Sequence, residues 1–112
     1  MNLSEDGIFE ASAEILVEEG RIAVVFRKDS IMIKLPTTRR LAERFGVPNY
    51  YALPFFSIME EKKLIKRIER EGIFTTNEGS RKLLEILKEK GAEEILGEEL
   101  LHALMERAMM LL

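Results

Sequence analysis

The sequence predicts an α+β fold carried by one domain, and three observations predict it. The chain has 112 residues, enough for one hydrophobic core and too few for two ordinary domains. Two pairs of short runs rich in β-branched residues, 21–26 with 31–35 and 64–70 with 73–75, are each split by a few polar residues, as in hairpins. Elsewhere apolar residues recur every three or four positions between capping residues and glycines, the mark of amphipathic helices.

Taken in order, Ser4 can cap a first helix, with Glu5 and Asp6 where carboxylates suit the positive end of the helix dipole. Ile8, Ala11 and Ile15 repeat at helical spacing as its inner stripe, which Phe9, Ser12 and Leu16 can widen, and Gly20 ends it. The first hairpin follows, turning over 27–30, and Pro36 stops its second strand. Thr37 and Thr38 read as caps of a short helix at 39–45, with Leu41, Ala42 and Phe45 on one face and Gly46 closing it.

A second helical stretch covers 50–63, with Ala52, Phe55, Phe56 and Met59 as its apolar side. Pro54 lacks an N–H and clashes with the residue four before it outside a first turn. The regular helix is therefore expected to begin near Leu53, with 48–52 as an irregular turn. The second hairpin turns at Glu71-Gly72. Thr76 or Asn77 caps a further helix with Leu83, Leu84, Ile86 and Leu87 inside, Gly91 breaks it, and a final helix starts near Ala92 or Glu98.

Composition excludes several functions. Cysteine is absent, so disulfides, thiolate catalysis and cysteine-held metals are out. The one histidine, His102, rules out a multi-histidine metal site. No apolar run approaches the roughly 20 residues of a membrane span, and the acidic start of the chain is no signal peptide; a cytoplasmic protein is expected. Glutamine and tryptophan are also missing while Glu and Lys abound, a bias reported for hyperthermophile proteins. Thermophilic origin is the corresponding expectation.

Adjacent carboxylates such as Glu18-Glu19, Glu60-Glu61, Glu93-Glu94 and Glu98-Glu99 point about 100° apart on a helix and read as solvated faces. His102, between leucines, reads as a partly buried packing residue. There is no phosphate loop, nucleophile elbow or metal signature. No enzyme, cofactor or metal is expected.

Charge is unevenly spread. The net charge of −3 divides into −3 over residues 1–36, +4 over 37–90 and −4 over 91–112. A basic middle between acidic ends is the pattern a polyanion site would need.

That middle carries the most information. Its order is short helix, turn, second helix, strand, turn, strand, helix. In Leu41-Ala42-Glu43-Arg44-Phe45-Gly46-Val47 a small Ala stands four residues before a Gly, letting two helices approach across a tight turn. Met59-Glu60-Glu61-Lys62-Lys63-Leu64-Ile65 leads into the first strand. Thr75-Thr76-Asn77-Glu78-Gly79-Ser80-Arg81-Lys82-Leu83 leads from the second strand into a helix. Together, over about half the chain, these segments resemble the winged helix-turn-helix family of prokaryotic transcriptional regulators.

The resemblance implies a winged core at 37–90, an additional N-terminal helix and β-hairpin at 1–36, and a C-terminal helix at 91–112. It also implies binding of double-stranded DNA, with the second helix of the pair in the major groove and the wing on the backbone. Carried over by position, Thr37, Thr38, Arg39 and Arg40 would meet phosphate, Asn49, Tyr50, Leu53 and Ser57 would face the groove, and Lys66, Arg67 and Arg70 would belong to the wing. One departure stands out: from Pro48 to Met59 there is no Lys or Arg, so base contacts fall to Asn49 and the tyrosines.

Other readings stay open. Tyr50, Tyr51, Phe55 and Phe56 could grip a protein partner in place of DNA, or the phenylalanines could be core with the tyrosines at its edge. Arg39 and Arg40 could pair with Glu43 or Glu61. An effector site closed by the first hairpin is a third possibility. Leu96, Leu100, Leu101, Leu104, Met105, Ala108, Met109, Met110, Leu111 and Leu112 make a broad apolar face, expected to form a homodimer or else to fold back on the hairpin at 21–35.

Overall fold

The Ser4 side chain accepts the Gly7 N–H at 2.9 Å and starts α1 (Glu5–Glu19), which Gly20 ends at a φ of 69°. The computed structural model describes residues 3–111, so Leu112 lies outside the described residues. Ile8, Phe9, Ala11, Ser12, Ala13, Ile15 and Leu16 are all buried, a band too wide for a surface helix. The segment expected as an N-terminal addition is part of the main core.

The chain is α+β, with six helices and two small antiparallel sheets among the described residues. β1 (Val24–Arg27) and β2 (Ser30–Ile33) pair with Arg27 opposite Ser30, leaving Lys28 and Asp29 as a two-residue turn. Both strands are shorter than the β-branched runs suggest. α2 (Thr38–Phe45) and α3 (Asn49–Glu61) follow, then β3 (Ile65–Ile68) and β4 (Gly72–Thr75), paired with Ile68 opposite Gly72. α4 (Asn77–Glu89) packs on α1, and the final helix divides at Gly97 into α5 (Glu93–Leu96) and α6 (Glu98–Met110).

α3 departs from expectation. It runs unbroken from Asn49, so 48–52 is not an irregular turn, and Pro54 lies inside the helix. Pro54 cannot donate to the Tyr50 carbonyl. Both residues face solvent, where that carbonyl needs no helical partner. Ala52, Phe56 and Met59, four and seven residues apart, are fully buried, and their burial outweighs one missing bond.

The two hairpins are joined by an unusual seam. Leu35 N–H donates to the Ile73 carbonyl at 2.9 Å, and Lys34 bridges to Phe74. Further along β2 the partners are side chains. Ile33 N–H donates to Thr75 Oγ1 at 2.8 Å, Thr75 and Ser80 hydroxyls meet at 2.6 Å, and Ser80 Oγ donates to the Ile31 carbonyl at 2.5 Å. Ser80 has one proton and gives it to Ile31, so Thr75 must donate to Ser80. Asn77 completes the seam, accepting the Ile31 N–H and donating to the Asp29 carbonyl, each at 3.0 Å.

One cluster of buried side chains runs through α1, β2, α2, α3, β3, α4 and α6. α6 folds back on α4 and β2 through Leu101, Leu104 and Ala108, and Arg107 donates to the Lys28 carbonyl at 2.8 Å. Leu100, Met109 and Met110 remain exposed. His102 is exposed as well, not packed between leucines, and lies 3.7 Å from Glu106 on the next turn.

Candidate nucleic-acid interface

Thr37 opens α2 by accepting the Arg40 N–H at 3.1 Å, while Thr38 is the first helical residue and is half-buried. Leu41 and Ala42 are buried where α2 meets α3, and Gly46 turns the chain at a φ of 70° with Val47 N–H donating to the Ala42 carbonyl at 3.0 Å. The small Ala and the left-handed Gly do the work that their spacing suggested.

Burying Ala52, Phe56 and Met59 turns the opposite stripe of α3 outward. Asn49, Tyr50, Leu53 and Ser57 are all exposed, the first, third and fourth at intervals of four. Tyr50 and Tyr51 are 64% and 52% exposed, with rings stacked at 4.8 Å. They do not line the edge of the core. Phe56 is fully buried and Phe55 partly so.

The arginines of α2 are all engaged. Arg39 lies 3.7 Å from Glu43, Arg40 pairs with Glu19 of α1 and not with Glu43 or Glu61, and Arg44 grips Glu18 through two bonds of 2.7 and 3.0 Å and Glu14 at 3.0 Å. The two hydrogen bonds to Glu18 hold its carboxyl below the usual carboxylate range and push the Arg44 guanidinium up. Exposed pairs of this kind contribute little, because solvent screens them.

On the second hairpin, alternation sends Lys66 and Arg67 to opposite faces of the ladder. Arg67 lies 3.8 Å from Glu60. Arg70 sits in the turn at a φ of 67°. Among the described residues, neither Lys66 nor Arg70 has a carboxylate within 4.0 Å. Lys66 stands opposite Phe74, and Lys34 pairs with Phe74 from the other side, so the two lysines share one sheet face. Lys34 escaped the sequence reading because it precedes the helix pair and belongs to no motif. Arg44 escaped it because its partners lie some 30 residues upstream.

Compared with models of known protein families, with curated proteins and with solved structures, the chain gives no match. Its own geometry has to carry the reading.

Among the described residues no group of three His, Cys, Asp or Glu side chains is placed to hold a metal ion, and no helix is long and apolar enough to cross a membrane. A cleft of about 660 Å³ between α1, the end of α3 and α4 is closed across its charges, with Lys62 at 2.8 Å from Glu5 and Lys82 at 2.6 Å from Asp6. The Lys82 ammonium, by hydrogen bond and charge, holds the Asp6 carboxyl below the usual carboxylate range.

Proposed function

We propose that this protein is a winged-helix DNA-binding protein, acting in the cytoplasm as a transcriptional regulator. The observation that carries the reading is the outward stripe of α3. Asn49, Tyr50, Leu53 and Ser57 are exposed, on a helix presented by the α2–Gly46 turn and followed by a hairpin in which Lys66 and Arg70 have no carboxylate within 4.0 Å among the described residues. On this reading α3 enters the major groove. Asn49 supplies the amide that can pair with an adenine edge, and Leu53 with the tyrosine rings supplies apolar contact for thymine methyls.

Affinity would come chiefly from phosphate contacts. Lys66 and Arg70 meet the backbone from the hairpin, whereas Arg67, on the opposite face of the ladder and beside Glu60, does not join them. Thr37, Thr38, Arg39 and Arg40 meet it from the start of α2. Exchanging an exposed carboxylate for a phosphate costs little, because such pairs are worth so little in water. A homodimer fits this function, since two copies would address two half-sites.

Fluorescence anisotropy of labelled duplex DNA at two salt concentrations tests it, with an Arg39→Ala/Arg40→Ala variant alongside. Binding that weakens steeply with salt, and roughly tenfold further in the variant, is expected. Absence of binding at low salt by folded protein would retire the reading.

The stacked, exposed Tyr50–Tyr51 pair favours a second reading, a winged-helix module that docks a partner protein. Tyrosine is enriched at such interfaces, and α3 carries no cation from Pro48 to Met59. Loss of partner capture in a Tyr50→Ala/Tyr51→Ala variant, with no DNA binding by the parent, would select it.

A further inference from the structure

A cleft of about 320 Å³ lies between the end of α1, the end of β2 and the start of α2, lined among others by Glu19, Arg21, Lys34, Thr37 and Arg40. Three cationic residues thus line one small space with a single carboxylate, and the Lys34 ammonium stands 4.0 Å from where a Gly72 Cβ would be, on the side of the second hairpin. Glu19 is committed to Arg40. Arg21 and Lys34 have no carboxylate within 4.0 Å among the described residues. Both are exposed, so neither is retained for packing in the core. Like charges held around one cavity repel unless an anion joins them, and the volume is at the small end of ligand sites.

Lys34 is positioned by the seam between the hairpins. Its backbone is fixed opposite Phe74, and its side chain crosses Gly72, where a Cβ would stand 3.2 Å from Lys34 Cε. Gly72 therefore leaves the space through which Lys34 extends. From there the cations continue in a row: Lys66 flanks Phe74 on the same sheet face. A pocket of positive charge that runs on into a line of lysines fits one phosphate of a linear polyanion.

We propose that the cleft bounded by Arg21, Lys34 and Arg40 binds a backbone phosphate of nucleic acid, linking the helix pair to the second hairpin through Arg21 and Lys34, which belong to neither. This rests on the DNA reading, but the chemistry it names is phosphate, which could also arrive as a free anion. Binding would draw Arg40 from Glu19 to the phosphate, a charge-assisted bond that its planar fork favours.

Arg21→Gln and Lys34→Gln, two exposed and separate substitutions, are titrated with labelled duplex DNA over a range of salt, each fold verified by circular dichroism. Thermal melts are recorded in parallel with inorganic phosphate or chloride at equal ionic strength. Roughly tenfold weaker DNA binding in each variant is expected, with the slope of log affinity against log salt shallower by about one. If the parent binds DNA and both variants match it in affinity and slope, the cleft is not a phosphate site and the DNA reading stands. If the parent ignores DNA but phosphate raises its melting temperature, and neither variant responds, the phosphate site stands for a free anion and the DNA reading falls. If the parent responds to neither, both are overturned.

Discussion

Gly79 shows how much one residue can decide. It is the third residue of α4, where Ala would ordinarily be the better helix former by about 1 kcal/mol. Here a Cβ would stand 1.9 Å from the Leu64 carbonyl oxygen, the same oxygen that accepts the Thr76 N–H at 3.1 Å. The backbone of α4 can approach the start of β3 only because there is no side chain between them. Gly79→Ala is therefore expected to destabilise by about 2–4 kcal/mol, and urea unfolding would measure it; a neutral or stabilising effect would mean the approach can relax. Ser12 is the opposite case. Its hydroxyl is buried with no hydrogen-bond partner among the described residues, and the structure shows no compensation for it.

At the scale of elements, the contact between α1 and α2 matters most for the site. Glu14, Glu18 and Glu19 form an acidic edge that receives Arg40 and Arg44. The Glu18 carboxyl ionises more readily in the folded chain than in the unfolded one. Its contribution to stability is therefore complete above about pH 4.5, its ordinary value, and is lost as pH falls through the lower folded value. Glu18→Gln should melt below the parent at pH 7, and the gap should shrink at a pH well below 4.5. An equal gap at both pH values would show that the charge pair is not what the variant removes. The elements themselves were largely legible in the sequence. Ser4, Thr37 and Thr76 cap α1, α2 and α4, while Thr38 and Asn77 fall inside their helices, and Gly20 and Gly46 end α1 and α2 in left-handed geometry. Pro54 misled because its local cost is visible in the sequence, whereas the burial of Ala52 on its N-terminal side is not.

For the whole molecule, the question is what covers the end of the chain. The broad apolar face at 96–111 is spent in two ways. Leu101, Leu104 and Ala108 complete the molecule's own core, while Leu100, Met109 and Met110 stay exposed, Met110 at 82%. A homodimer built on this remainder is the proposed assembly. Sedimentation equilibrium should find two copies for the parent and one for Met109→Glu/Met110→Glu, a variant at two exposed residues. A monomeric parent would remove the dimer from the model of DNA binding without touching α3.

Of the candidate site, the outward stripe of α3 was legible in the sequence because a helix that buries one face must turn the other out. Helix ends, strand runs and the α+β class were legible for a related reason: caps, glycines and apolar spacing act over four or five neighbouring residues. What only the tertiary structure decided depends on partners far apart in sequence. It made α1 part of the main core and carried α3 through Pro54. It gave Arg40 to Glu19, 21 residues upstream. It stitched the edge of β2 with hydroxyls more than 40 residues downstream, and brought Arg21 and Lys34 beside the start of α2. Charge pairing and edge covering are settled by whichever groups the fold brings within a few ångströms, and no local pattern encodes that meeting.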